Sequence, residues 1–96
     1  MIVANRDKLV KFWKAHGDSK LALQAWYREV AAANWQIPQD IKDRYPSASF
    51  LHNNFVIFNI KGNRYRLEVR VNYAASVVGI EWIGTHAQYS KSKKRG

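Results

Sequence analysis

Ten residues in the second half of the chain, RYRLEVRVNY, alternate strictly between polar and apolar side chains. Successive residues of a β-strand point to opposite faces, so this period of two predicts a strand with one polar and one apolar face. Arg64, Arg66 and Arg70 would share the polar face with Glu68. Guanidinium groups are costly to bury without partners, so we expect the arginine-bearing face to be open and the apolar face to be packed.

Two further strands flank this segment. Phe55–Ile60 is almost wholly apolar, and Val77–Gly84 is also rich in β-branched residues. The connecting segments KGN and AAS are short and have turn character, which predicts antiparallel pairing. The initial residues MIVA are compatible with a short first strand.

Helical patterns precede the strands. Apolar residues recur at helical spacing near Asn5–His16 and near Ser19–Asn34, and Asn5 is suited to cap the first helix. Pro38 favours the first turn of a short third helix. The order predicts an α+β domain, with an N-terminal helical hairpin packed on one face of an antiparallel-rich sheet. Residues 1–90 form the single expected domain, and 91–96 a basic, flexible tail. The residues expected to be buried are Trp13, Trp26, Tyr27, Leu67, Val69 and Val71.

The charge of the chain indicates the class of its partner. A net charge of +9 on 96 residues, greater in the second half, attracts polyanions. Nucleic acid is the preferred partner, with an anionic membrane or an acidic protein as alternatives. The sequence has no cysteine, no apparent leader and no apolar run of membrane-spanning length. We therefore expect a cytoplasmic protein that does not enter a membrane.

The arginine-bearing face and a second cluster suggest chemistry on RNA. Residues two apart on a strand face are about 6.5–7 Å apart, a spacing close to that of successive phosphates, although a solvated charged face is the alternative. His86 and Tyr89 are three residues apart, so one helical turn would bring together two groups capable of proton transfer. His16 and His52 are interpreted as structural or surface residues.

The second half of the chain contains only two carboxylates, Glu68 and Glu81, and its histidines lack metal-ligand spacing. We therefore expect no metal and no other cofactor. RNA cleavage without metal would use the 2′-hydroxyl as the nucleophile, with cations stabilising the developing negative charge.

The segments FNIKGNRYRL and GTHAQY together resemble the HigB-type toxins of bacterial toxin–antitoxin pairs, within the RelE-like group. The helical segment FWKAHGDSKLALQAWYREVAAANW is similar as well, so the resemblance extends from about Ile2 to Ser90. It implies a compact RelE-like fold and a ribosome-dependent endoribonuclease that cleaves translated messenger RNA. It also implies a helix-turn-helix antitoxin of the HigA type, with operator DNA contacted only through the toxin–antitoxin complex.

The resemblance and the charge pattern together define a candidate site. The expected catalytic residues are Arg66, His86 and Tyr89. The expected RNA-binding residues are Asn59, Lys61, Asn63, Arg64, Arg70, Lys91, Lys93 and Lys94. Two other functions remain open from the residues alone: a non-catalytic RNA- or DNA-binding module that uses the arginine-bearing face, and a structural interaction protein with basic surfaces. A pure binder has no need of the titratable pair beside the arginines.

Overall fold

The computed structural model describes the backbone of residues 1–93 and the side chains of residues 1–91. Along the chain, three helices and two short 3₁₀ turns lie between strands, and a fourth helix ends the described chain. The elements are β1 (Ile2–Ala4), α1 (Asp7–Ala15), α2 (Lys20–Ala32), α3 (Pro38–Arg44), β2 (Ser49–Phe50), β3 (Phe55–Ile60), β4 (Tyr65–Asn72), β5 (Val77–Thr85) and α4 (His86–Lys93). Within the predicted tail, residues 91–93 belong to α4, and 94–96 lie outside the described residues.

The five strands form one mixed sheet in the order β1-β5-β4-β3-β2. β1 lies parallel to β5, and the other neighbours are antiparallel. The helical hairpin and α3 cover one face, where apolar residues of all three helices meet those of the strands in a single core. The predicted α+β class, with a fold consistent with the RelE-like one, is confirmed.

The alternation in β4 separates the two faces as predicted. Leu67 and Val69 are fully buried under the helices, whereas Arg70 is exposed on the opposite side. Of the six expected core residues, five are buried and Tyr27 is only partly buried. We call the opposite side, which carries Arg66, Glu68, Arg70 and Asn72, the arginine face.

A β-bulge interrupts the pairing of β4 with β5. Val69 pairs with Ile80 and Glu68 with Trp82, so Glu81 is an extra residue with no partner on β4. An inserted residue reverses the alternation beyond it. Trp82 is therefore on the arginine face, whereas Ile80 is on the core face.

The expectation that Asn5 caps α1 is wrong. Arg6 occupies the position before the helix, and no side chain there makes a capping hydrogen bond. Asn5 instead has a φ of 64°, a left-handed conformation that asparagine tolerates, and its Nδ2 donates to the Ile80 carbonyl at 3.3 Å. Asn5 thereby ties the beginning of α1 to β5.

Candidate active site

Arg66 is the best-anchored cation on the arginine face. It lies opposite Asn59 in the β3–β4 register, and its Nη1 donates to Asn59 Oδ1. The guanidinium carbon is 5.9 Å from the centroid of the Tyr89 ring. The Arg66 Nε atom is buried and has no hydrogen-bond partner among the described residues. The side chain is thus held in place while it retains an unsatisfied donor.

Arg64 does not share this face, contrary to the sequence prediction. β4 begins at Tyr65, and Arg64 ends the preceding turn. Its Nη1 donates to Asp18 Oδ2 at 2.9 Å, and the Tyr65 hydroxyl donates to the other oxygen of the same carboxylate. Lys61, in the same turn, donates to the Asp18 carbonyl at 3.1 Å. The two cations therefore lie against the helical hairpin rather than in line with Arg66.

The remaining predicted RNA-binding residues are spread around this centre. Arg70 lies on the arginine face, where its Nε donates to the Asn53 carbonyl at 3.2 Å and its guanidinium lies 5.4 Å from the Phe55 ring. Asn63 is exposed in the β3–β4 turn, and Lys91 is exposed on α4. The side chain of Lys93 and the whole of Lys94 lie outside the described residues.

A reciprocal capping box fixes the beginning of α4. The Gln88 N–H donates to Thr85 Oγ1 at 3.1 Å, and the Thr85 N–H donates to Gln88 Oε1 at 2.9 Å. The sequence signature T-x-x-Q in THAQ is typical of this arrangement. His86 is therefore the first residue of α4, exposed, with its N–H donating to the Arg64 carbonyl at 3.2 Å. Tyr89 follows one helical turn later, as predicted from the spacing.

Trp82 is a candidate site residue that sequence reasoning missed. Its ring lies 5.8 Å from that of Tyr89, and it occupies the space that a side chain at Gly84 would fill. A Cβ at Gly84 would approach the Trp82 ring to 2.6 Å, so glycine permits the indole to lie on the strand backbone. The indole is only partly buried, and a flat aromatic surface beside a cation suits the stacking of a nucleobase.

Asn59, Arg66, Trp82 and Tyr89 thus form a contiguous group, with His86 beginning the helix that carries Tyr89. This group offers an anion-binding donor, a phenol and an aromatic surface. His16 stacks on Phe12 with ring centroids 4.3 Å apart, and His52 lies exposed in a 3₁₀ turn, as befits the structural and surface roles expected of them.

The described residues contain neither a metal-binding cluster nor a membrane-spanning helix. No group of three or more histidine, aspartate or glutamate side chains is arranged to hold a metal ion among them. Within the same part of the chain, no helix combines the length and apolarity needed to cross a membrane.

Asp18 gives a testable pH dependence. The hydrogen bond from Tyr65, together with Arg64 and Lys61, lowers the pKa of Asp18 below its ordinary value of 3.8. A lowered carboxylate pKa stabilises the fold above the unfolded value, and this contribution disappears as the pH falls through the folded value. We expect Asp18→Asn to lower the thermal unfolding temperature at neutral pH, and the difference from wild type to shrink below pH 3.8.

Thermal unfolding followed by circular dichroism across this pH range measures the effect. Asp43→Asn is the matched control, because within the part of the chain that the structure describes the Asp43 carboxylate accepts a hydrogen bond only from its neighbour Gln39 on α3. If the unfolding temperatures of wild type and Asp18→Asn differ by the same amount at every pH, the Asp18 charge does not stabilise the contact between the helical hairpin and the β3–β4 turn.

Comparison with known protein families gives one match. Residues 19–92 match the model of the HigB toxin family, which is described as the RelE-like toxic component of a toxin–antitoxin system. The matched region includes α2, every strand except β1, and the group of Asn59, Arg66, Trp82, His86 and Tyr89, whereas Lys93 and Lys94 lie beyond it. No curated protein matches the chain.

Proposed function

The chain belongs to the HigB family of RelE-like toxins of toxin–antitoxin systems, and on this premise we propose that it is an endoribonuclease that cleaves messenger RNA on translating ribosomes. Loss of translated messages would account for toxicity. Family membership implies a cognate antitoxin as partner. We further propose that this antitoxin is a helix-turn-helix protein of the HigA type, and that operator DNA is contacted only by the toxin–antitoxin complex.

The observation that carries the proposal is the unsatisfied Arg66 donor. A buried N–H group without an acceptor costs on the order of 1–3 kcal/mol, more when the group is charged. A phosphate oxygen of bound RNA is a suitable acceptor, since guanidinium groups bind phosphates through charge-assisted hydrogen bonds. Asn59 already holds Nη1, and movement of the side chains that cover Nε would open this donor to the phosphate.

The proposed reaction needs only RNA and side chains of this chain. The 2′-oxygen attacks the adjacent phosphorus as a base removes its proton, and the bond from phosphorus to the 5′-oxygen breaks as an acid protonates that oxygen. The products are a 2′,3′-cyclic phosphate and a 5′-hydroxyl. Arg66 stabilises the additional negative charge, and His86 and Tyr89 share the two proton transfers.

The ribosome is the proposed site of action because the resemblance to HigB-type toxins implies it, and the strongly basic charge of the protein is compatible with that proposal. A net charge of +9 promotes binding to ribosomal RNA through sequence-independent contacts. Arg70, Lys91, Lys93 and Lys94 are the cations proposed to contact RNA around the reacting phosphate. Arg64 and Lys61, which are paired with Asp18, would contribute to the same basic surface from the turn.

Cell-free translation with purified protein tests the proposal. We expect rapid cleavage of a translated message at sites within its reading frame, and little cleavage of the same RNA without ribosomes or with an initiation-blocked ribosome. A message that remains intact while translation stops would contradict nuclease activity and favour the binding module. Equal cleavage with and without ribosomes would contradict ribosome dependence alone.

A further inference from the structure

A hollow lies at the end of the arginine face away from α4. Its volume is about 420 Å³, and it lies between β4, β5 and the turn before β3. Arg70 and Asn72 line it from β4, Gly79 and Glu81 from β5, and Asn54 from the turn. Arg66 and Arg70 are four residues apart on one strand, so the hollow begins roughly 13 Å from the Arg66 position.

Residue 79 in the lining of the hollow is a glycine, and neither sterics nor backbone conformation demands one. A Cβ at Gly79 would contact the Arg70 carbonyl at 3.8 Å and Glu81 Oε2 at 3.9 Å, which are ordinary van der Waals distances. The φ of Gly79 does not lie in the left-handed region. Glycine weakens a strand interior, where it often marks a bulge or the close approach of a ligand or another backbone segment. The bulge of β5 lies beside Gly79, and the open lining leaves room for a ligand as well.

The β-bulge places a carboxylate beside this glycine. Glu81 is the extra residue of β5, and its Oε2 lies next to Gly79 on the arginine face. The Glu81 carboxylate makes no hydrogen bond or ion pair with any other described residue, although its backbone carbonyl accepts a hydrogen bond from Lys8. Among the residues that line the hollow, Glu81 supplies the negatively charged acceptor and Arg70 the positively charged donor.

This combination suits a nucleobase better than a phosphate. Glu81 would repel a phosphate, whereas a base presents both N–H donors and ring acceptors. Guanine fits the lining best, because its amino group can donate to a carboxylate while its O6 and N7 accept from an arginine. The Asn54 and Asn72 amides, which both donate and accept, suit the remaining edges.

We propose that the hollow binds a guanine base of a nucleotide flanking the cleaved one, and so determines base preference at one position beside the cut. This inference rests on the proposed function, because it assumes RNA bound along the arginine face. The separation of about 13 Å from Arg66 assigns the base to a neighbouring nucleotide rather than to the one that supplies the 2′-hydroxyl.

Sequencing the RNA ends formed in cell-free translation tests the inference. We expect wild-type cleavage sites to be enriched in guanine at one fixed flanking position. Glu81→Gln, which keeps the shape and removes the charge, should reduce that enrichment about 10-fold and leave other positions unchanged. Gly79→Val, which fills the hollow with a residue suited to strands, should lower the cleavage rate about 10-fold at guanine-flanked sites.

Asp43→Asn is the control for loss of a carboxylate, because Asp43 lies on α3, away from the arginine face. If Gly79→Val fails to fold, Glu81→Gln still decides the question. Wild-type cleavage with no base preference at any flanking position, or a preference that Glu81→Gln leaves unchanged, would overturn the subsite while leaving the nuclease assignment intact. Absence of cleavage by wild type would overturn the proposed function itself.

Discussion

We expect Arg66→Ala to lower the rate of messenger RNA cleavage by about 10²–10³-fold, the usual loss when one donor to a transition-state charge is removed. Alanine lacks the Nε–H group, which is buried in the wild-type protein and has no acceptor among the described residues. The fold should be preserved, because Arg66 lies on the arginine face and the core of β4 is formed by its alternate residues. Single-turnover cleavage in cell-free translation, with circular dichroism as the folding check, measures the effect.

Two variants make this expectation specific. Arg66→Lys keeps the charge but loses the planar guanidinium, which can donate to Asn59 and to a phosphate at the same time. It should therefore recover only part of the rate. Arg28→Ala removes an equal charge from the exposed side of α2, and it should cleave at nearly the wild-type rate. A folded Arg66→Ala protein that cleaves as fast as Arg28→Ala would remove Arg66 from the mechanism.

Loss of a proton-transfer group should have an effect of similar or greater size. We expect His86→Ala and Tyr89→Phe each to reduce cleavage, with a loss of about 10²–10⁴-fold for the group that acts in the slow step. Tyr89→Phe retains the ring that packs beside Trp82 and Arg66, so it removes only the hydroxyl. His86→Ala retains the backbone hydrogen bond to Arg64 and the Thr85–Gln88 capping box.

His52→Ala is the matched control for the histidine, because the His52 side chain is exposed and His52 lies outside the group formed by Asn59, Arg66, Trp82, His86 and Tyr89. Growth arrest on induction and the cleavage rate in vitro should fall together in the site variants and remain unchanged in the control. Full cleavage by a folded His86→Ala, Tyr89→Phe double variant would show that neither side chain moves the protons.

Local patterns predicted most of the fold. The bounds of β3 agree with those expected, because an apolar run ends at the KGN turn. The face of β4 that is buried is also the predicted one, because alternation places Leu67 and Val69 on the same side of the strand. In both cases the determining information lies within a few neighbouring residues.

The errors arise where distant residues decide the structure. Arg64 continues the alternation of β4, yet it turns towards a carboxylate 46 residues earlier in the chain. Trp82 falls on the arginine face because Glu81 is inserted as a bulge, and the sequence VVGIEWIG does not indicate where the register shifts. Asn5 looks like a helix cap but bonds to a strand 75 residues away. None of these partners can be inferred from local spacing.

The chemistry of the new RNA ends tests the central claim most directly. Wild-type protein is added to a cell-free translation reaction, and the 3′ ends of the upstream fragments are analysed with and without phosphatase and cyclic-phosphate-opening treatment. Attack by the neighbouring 2′-oxygen predicts a 2′,3′-cyclic phosphate, or the 3′-phosphate formed from it, opposite a 5′-hydroxyl. A 3′-hydroxyl on the upstream fragment would contradict the account, because attack by the 2′-oxygen cannot produce it.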